Sequence, residues 1–139
     1  MKFTVLTSGD KALGLGDGFI LIPTLIDLAK LYNVHHIATN QSYNILKLLN
    51  TIPDIHIFNM DQQGHFFTND FIKTYNLVYW DYYNTLRNFG CHVINATRKI
   101  ADLDSYSGIL PNIPISEEVE SAVIELYKNL KRPIVVVQP

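Results

Sequence analysis

Three glycines in five residues, Gly14-Leu15-Gly16-Asp17-Gly18, separate the apolar run Phe3-Thr4-Val5-Leu6 from the apolar positions that recur between Phe19 and Tyr32. The first run has the length and composition of a short buried strand, and the second has the spacing of a core-facing helix. Strand, glycine-rich turn and helix in that order make a ligand-binding corner. Glycine lets backbone N–H groups approach a ligand closely, and the N-terminus of the following helix favours negative charge. Asp17 puts a carboxylate at the tip of the corner, either held by the helix end or kept there for proton chemistry.

The rest of the chain repeats the alternation. The first strand covers about Lys2 to Ser8 and the first helix about Gly18 to Tyr32, with Pro23 predicting a kink or an irregular first turn. Val34 to Thr39 reads as a second strand, Ser42 to Asn50 as a short helix, and Ile55 to Phe58 as a third strand introduced by Pro53-Asp54. Asp61 to Thr68 is polar and loop-like, and Asn69 to Thr74 suits one or two helical turns. Leu77 to Trp80 reads as a fourth strand ending in Asp81, and His92 to Asn95 as a weaker fifth. Arg98 to Pro114 is expected to be a loop. A helix follows, capped by Ser116, with Glu117, Glu118 and Glu120 at its positive end and Val119, Ala122, Val123, Leu126, Tyr127 and Leu130 on one apolar face. Strands alternating with helices imply βαβ units and a parallel sheet, so the expected class is α/β, a Rossmann-like three-layer sandwich.

Ile134-Val135-Val136-Val137 is a β-branched run of the kind buried on both faces of a parallel sheet, and only Gln138-Pro139 follows it. It either completes the first sheet or opens a second domain. We expect the latter: a Rossmann-like domain over 1–132, with 133–139 as linker and first strand of a further domain. A length of 139 residues suffices for one domain with its own core. The net charge of −2, with no basic block beyond Lys131-Arg132, argues against a nucleic-acid partner. The single cysteine, Cys91, fits a reducing compartment and a packed thiol. No leader precedes the first strand and no apolar run approaches the roughly 20 residues that span a bilayer, so the expected location is cytoplasmic. Phe66-Phe67 and Phe71-Ile72 form a satellite apolar cluster that would alternatively dip into a membrane interface.

Gly16-Asp17, five residues, Pro23 and then an apolar helix resemble the opening of the family 9 glycosyltransferases, the bacterial heptosyltransferases of lipopolysaccharide inner-core biosynthesis. Tyr75-Asn76-Leu77-Val78-Tyr79-Trp80-Asp81 resembles that family's tyrosine-aspartate strand, with Asn76 in place of the first aspartate. Lys131 to Pro139 resembles the start of its second domain. The turn after the first strand is longer here, and Gly9-Asp10 follows the strand directly, so Asp10 competes with Asp17 for the family's aspartate. In this longer turn Lys11, Gly14, Leu15, Gly16 and Asp17 are similar to the glycine-rich loop of starch and glycogen synthases, with Leu13 replacing a glycine. Both resemblances imply one half of a GT-B architecture, two Rossmann-like domains facing across a cleft.

The resemblance implies an acceptor-binding half of an inverting nucleotide-sugar transferase. Asp17 would be the base that takes the acceptor hydroxyl's proton, a role requiring burial or nearby charge to raise an otherwise weakly basic carboxylate. Lys11 would touch the donor diphosphate, and Gly14, Gly16, Gly18 and Asp81 would line the substrate. The acceptor would be a sugar or lipid-linked glycan, the inner membrane surface its setting, and the nucleotide-sugar donor would be held by the further domain. The chemistry requires no metal or other cofactor, and this chain alone is expected to be inactive.

Other readings compete. Asp17 also suits a helix cap, and Asp81 suits a turn hydrogen bond. Gly14-x-Gly16-x-Gly18 lacks the spacing of a dinucleotide fingerprint and the Gly-Lys-Ser/Thr ending of a P-loop. Tyr79, Trp80, Tyr82 and Tyr83 suit either sugar stacking or the core. His35-His36 has no cysteine or carboxylate at metal-ligand spacing. A self-contained Rossmann-like module that binds a nucleotide or sugar without catalysis is the alternative function.

Overall fold

The computed structural model describes residues 2–8, 15–62, 71–77, 90–104 and 115–128. Strand β1 (Thr4–Ser8) is followed by helix α1 (Leu15–Leu31), strand β2 (Asn33–Ala38), helix α2 (Asn40–Leu46), a 3-10 segment (Lys47–Thr51) and strand β3 (Ile55–Asn59). A 3-10 turn (Met60–Gln62), strand β4 (Lys73–Asn76), helix α3 (Val93–Ile100) and helix α4 (Glu117–Tyr127) complete the described elements. All pairings are parallel, in the order β3-β2-β1-β4. The fold is therefore α/β and Rossmann-like, as the alternation predicts.

Period-2 alternation sorts the strand residues onto two faces. Val5 and Thr7, Val34, His36 and Ala38, Ile55 and Ile57, and Tyr75 are buried on one face. Over them lie Leu21, Ile22, Leu25 and Leu28 of α1 with Leu46 and Leu49, one continuous apolar core. The opposite face carries Leu6, His35, Ile37 and Phe58, all half-buried, with His56 and Ile72 exposed. His35 sits at its centre, its ring 5.0 Å from His56, 5.4 Å from Phe58 and 5.6 Å from Phe71. The described residues thus build the sheet and one helical layer.

Close approach of α1 to α2 depends on Gly18. A Cβ there would stand 2.5 Å from the Ile45 Cγ2 methyl and 3.4 Å from Ser42. Helix α3 is fastened to α1 by polar groups: Thr97 donates to the Ile94 carbonyl at 2.8 Å and therefore accepts from Thr24 at 2.8 Å. Beside them the buried Arg98 guanidinium pairs with Asp27 at 2.5 Å, and Lys30 pairs with the same carboxylate at 2.6 Å. Burial opposes ionisation of Asp27, but hydrogen bonds and charge from Lys30 and Arg98 outweigh it and hold the carboxyl below the usual range. α3 ends in a Schellman motif: Leu103 N–H donates to Arg98 at 2.9 Å and Asp102 N–H to Lys99 at 3.2 Å, with Asp102 at φ 55°.

The exposed edge of β3 is also managed by a side chain. Asn50 accepts from Ile57 N–H at 2.6 Å and donates to the Ile57 carbonyl at 3.5 Å, standing in for a neighbouring strand. Pro53-Asp54 forms the turn into β3: Ile55 N–H donates to Ile52 at 3.2 Å, and Asp54 takes φ 65°, the position a type II turn reserves for positive φ.

Four expectations are corrected. Lys73 and Thr74, predicted to lie in helical turns within Asn69 to Thr74, instead begin strand β4 (Lys73–Asn76), and Val78 to Trp80 of the strand predicted over Leu77 to Trp80 lie outside the described residues. The one buried residue of β4 is Tyr75, so this strand, at the edge among the described strands, has no apolar run to mark it, and Leu77 carries the pairing one bond further by donating to Ser8 at 3.0 Å. The strand predicted over His92 to Asn95 is instead the start of α3, and the loop predicted from Arg98 begins after that helix. β-branched Val93 and Ile94 suggest a strand, but the His92 ring accepts from Ile94 N–H at 3.3 Å and caps a helix. α1 starts at Leu15 rather than Gly18 and runs on through Pro23. The acid-rich C-terminal helix is present and capped by Ser116, which accepts from Val119 N–H at 3.3 Å, but all of its residues are exposed. The strand predicted over Ile134 to Val137, and the boundary at 132, lie outside the described residues.

Candidate functional site

In an open parallel sheet, ligands bind where the strand order reverses, beyond the carboxyl ends of the two strands that flank the reversal. Here β1 leads outward to β2 and β3 on one side, and the chain then returns to place β4 on the other side of β1. The reversal falls between β1 and β4. Their carboxyl ends lie side by side at Ser8 and Asn76, which are register partners.

α1 starts at this edge. Its first residues are Leu15, Gly16, Asp17 and Gly18, and the first four N–H groups of any helix lack intrahelical acceptors. Gly16 is exposed, and a Cβ there would meet nothing within 4 Å. Gly18 is buried against α2. Asp17 is placed by the backbone in the first helical turn, between the two. The structure therefore brings Gly16 and Asp17 to the carboxyl edge and gives Gly18 a packing task. Lys11, Gly14 and the competing Asp10 lie outside the described residues, as do Asp81 and the aromatic group Tyr79, Trp80, Tyr82 and Tyr83.

The edges of β2 and β3 are closed by bonds among their own polar groups. Ser42 donates to the Thr39 carbonyl at 3.3 Å, so the Thr39 hydroxyl donates to Ser42 at 2.9 Å. Asn40 donates to Asp61, whose N–H donates to Asn59 at 3.0 Å. These contacts join the loops after β2 and β3 to each other and leave the reversal at the carboxyl ends of β1 and β4 as the candidate site.

One residue short of that edge, on the helix-covered face, lies a polar pair that sequence patterning missed. Thr7 and His36, both fully buried, are register partners joined by a 2.8 Å contact between Thr7 Oγ1 and His36 Nδ1. Thr7 Oγ1 also lies 3.5 Å from the His35 carbonyl, so a single direction serves both contacts: His36 Nδ1–H donates to Thr7, which donates to His35. His36 Nε2 then keeps its lone pair without a hydrogen-bond partner among the described residues. Burial pushes the imidazole down to about 3, so His36 is neutral. His35, on the half-open face, is also lowered, by burial and by neighbouring His56. The signal for the pair was available: strict alternation puts His36 on the side of Val34 and Ala38, and Thr7 on the side of Val5.

Among the described residues no group of three or more His, Cys, Asp or Glu side chains could hold a metal ion. None of the described helices is long and apolar enough to cross a membrane. The fold is that of a Rossmann-like α/β domain, with its candidate site at the strand-order reversal beside the N-terminus of α1. No protein-family model, curated protein or solved structure matches this chain.

Proposed function

We propose that this chain is the acceptor-binding half of an inverting, nucleotide-sugar-dependent glycosyltransferase of GT-B architecture, heptosyltransferase-like in its motifs. The observation that carries the reading is the strand order, which sets Ser8 and Asn76 side by side at the reversal and opens α1 there with Gly16 and Asp17. In this reading the Asp17 carboxylate accepts the proton of an acceptor hydroxyl as that oxygen attacks the anomeric carbon. The bond to the nucleoside diphosphate breaks on the opposite face, and its electron pair leaves with the diphosphate. General-base assistance of this kind supplies about 10²–10⁴-fold. The remainder comes from positioning and from charge stabilisation of the leaving group, to which Lys11 contributes. Gly14, Gly16 and Asp81 border the acceptor, and Gly18 keeps α1 close enough to α2 for the corner to hold its shape. The acceptor is a sugar or lipid-linked glycan presented at the cytoplasmic face of the inner membrane, and the donor is held by a second domain.

The test is a titration of the 15N-labelled chain with glycan fragments, ADP-sugars, UDP-sugars and free nucleotides, followed at the Gly16 amide. Glycan fragments are expected to shift Gly16, and nucleotides to leave it unmoved. Micromolar nucleotide binding at Gly16 would replace this reading with that of a self-contained nucleotide-binding module. Turnover of a nucleotide sugar by this chain alone would overturn the assignment of the donor to a second domain.

A further inference from the structure

We infer that α4 is a mobile strap that docks its apolar side on the open face of the chain's own sheet, supplying cover that the described helices leave off. At 3.6 residues per turn Val119, Ala122, Val123, Leu126 and Tyr127 fall within an arc of roughly 140° that contains no charged residue. All of them are exposed, Leu126 at 71% and Val119 at 53%, and Ile115, just before the cap, is exposed as well. An isolated helix of 11 residues is marginal in water, so an apolar arc of this purity is stabilised by what it packs against.

The sheet presents a matching surface. Parallel sheets are covered on both faces, yet α1, α2 and α3 pack on one. The other presents half-buried Leu6, Ile37 and Phe58 beside exposed Ile72. The crossover from β3 to β4 reaches this face through Phe71, which meets the His35 ring, but among its described residues it carries a single 3-10 turn. Charge is compatible as well. The strand residues of the open face include His35 and His56 and no carboxylate, while α4 carries Glu117, Glu118, Glu120 and Glu125 outside its apolar arc. Reach is sufficient: the ten residues between Asp104 and Ile115 extend to roughly 35 Å, against about 14 Å across four strands. Tethering keeps the helix at high effective concentration over the sheet, which favours this occupant over a second copy.

The experiment is amide hydrogen exchange and aromatic NMR on the full chain, with the double variant Val123→Ala/Leu126→Ala and the control Glu118→Gln. Alanine is at least as good a helix former as valine or leucine, so any loss of protection reports lost docking and not lost helicity. We expect the amides of Ala122 to Tyr127 to be protected by at least tenfold, independently of protein concentration. The double variant is expected to abolish that protection and to shift the His35 and Phe58 ring resonances, with Glu118→Gln changing neither. Unprotected α4 amides overturn the inference, and so does protection that survives the double variant. Protection that falls on dilution assigns the arc to a second copy instead. Protection lost in the double variant without movement of the His35 and Phe58 resonances places the helix elsewhere and refutes docking on the sheet.

Discussion

Neutral His36 makes this fold acid-sensitive in a specific window. The imidazole is held at about 3 in the folded chain against an ordinary 6.5. Between those values the unfolded chain carries a proton on this ring that the folded chain does not. Unfolding therefore takes up a proton, stability is complete above pH 6.5, and it falls as the pH drops from 6.5 towards 3. Each pH unit inside the window costs about 1.4 kcal/mol, so at pH 4.5 the loss is roughly 2.5–3 kcal/mol, a large part of the 5–15 kcal/mol typical of a domain. The assay is urea unfolding at pH 7.5, 6.5, 5.5 and 4.5, in the natural chain and in His36→Leu. Leucine fills the buried site and does not titrate, so the quantity to compare is the slope of stability against pH. We expect His36→Leu to flatten it by about 1.4 kcal/mol per unit below pH 6. His35 is also lowered and adds to the slope in the same direction, but it is present in both chains and cancels. Asp27, lowered from 3.8, adds stability that is lost only as the pH falls through its depressed value, below this range. Equal slopes in the two chains would show that the ring is protonated in place at no cost, and the account of Thr7 and His36 as a dry, neutral pair would be wrong.

Two further predictions concern packing. Gly18→Ala gains about 1 kcal/mol of helix propensity but forces a Cβ onto Ile45, and overpacking costs about 1–3 kcal/mol. A net loss near 1 kcal/mol is expected by urea unfolding, turning to a gain in an Ile45→Ala background, while Gly16→Ala, with open space around it, is expected to gain up to about 1 kcal/mol in either background. Asp27→Asn removes the carboxylate that pairs with the Arg98 guanidinium, 8% exposed, and is expected to cost about 2–3 kcal/mol, read as a fall in melting temperature.

The elements legible in the sequence are those whose burial is complete on one face. β1, β2 and β3 announce themselves because Val5, Val34, Ile55 and Ile57 alternate with less buried neighbours, and α1 because Leu21, Leu25 and Leu28 recur at helical spacing. β4 is hard to read because a strand with one buried residue carries no such pattern. α3 reads as a strand because it opens on β-branched Val93 and Ile94, and because its buried face mixes Val93 and Ala96 with polar Thr97 and Arg98, which weakens the hydrophobic period. At the site, the glycine-rich corner is legible from its spacing, yet its glycines divide. Gly16 faces solvent and Gly18 faces α2, a distinction that spacing along the chain cannot make because it depends on a helix more than twenty residues further on. Thr7 and His36 were missed for the opposite reason, since each is unremarkable alone and their meaning lies in the register of β1 on β2.

Asp17 is where structure and chemistry pull in opposite directions, and the sign of one measurement separates them. Its backbone lies in the first turn of α1, where the helix end favours an ionised carboxylate by about 0.3–1 kcal/mol. A carboxylate serving only that end is stabilising, and Asp17→Asn then costs a similar amount, the more so at low salt. A general base needs a surrounding that raises its proton affinity, which means one less hospitable to its charge. Removing the charge from such a surrounding is neutral or stabilising, the usual relation between function and stability at a catalytic position. Asn is the right substitution because it keeps the shape and the acceptor oxygen while deleting the charge. On the proposed function, Asp17→Asn leaves the unfolding free energy unchanged or raises it by up to about 1 kcal/mol. A loss of about 0.5–1 kcal/mol that 1 M salt removes would reduce Asp17 to a partner of the helix end and take the base away from the proposed mechanism.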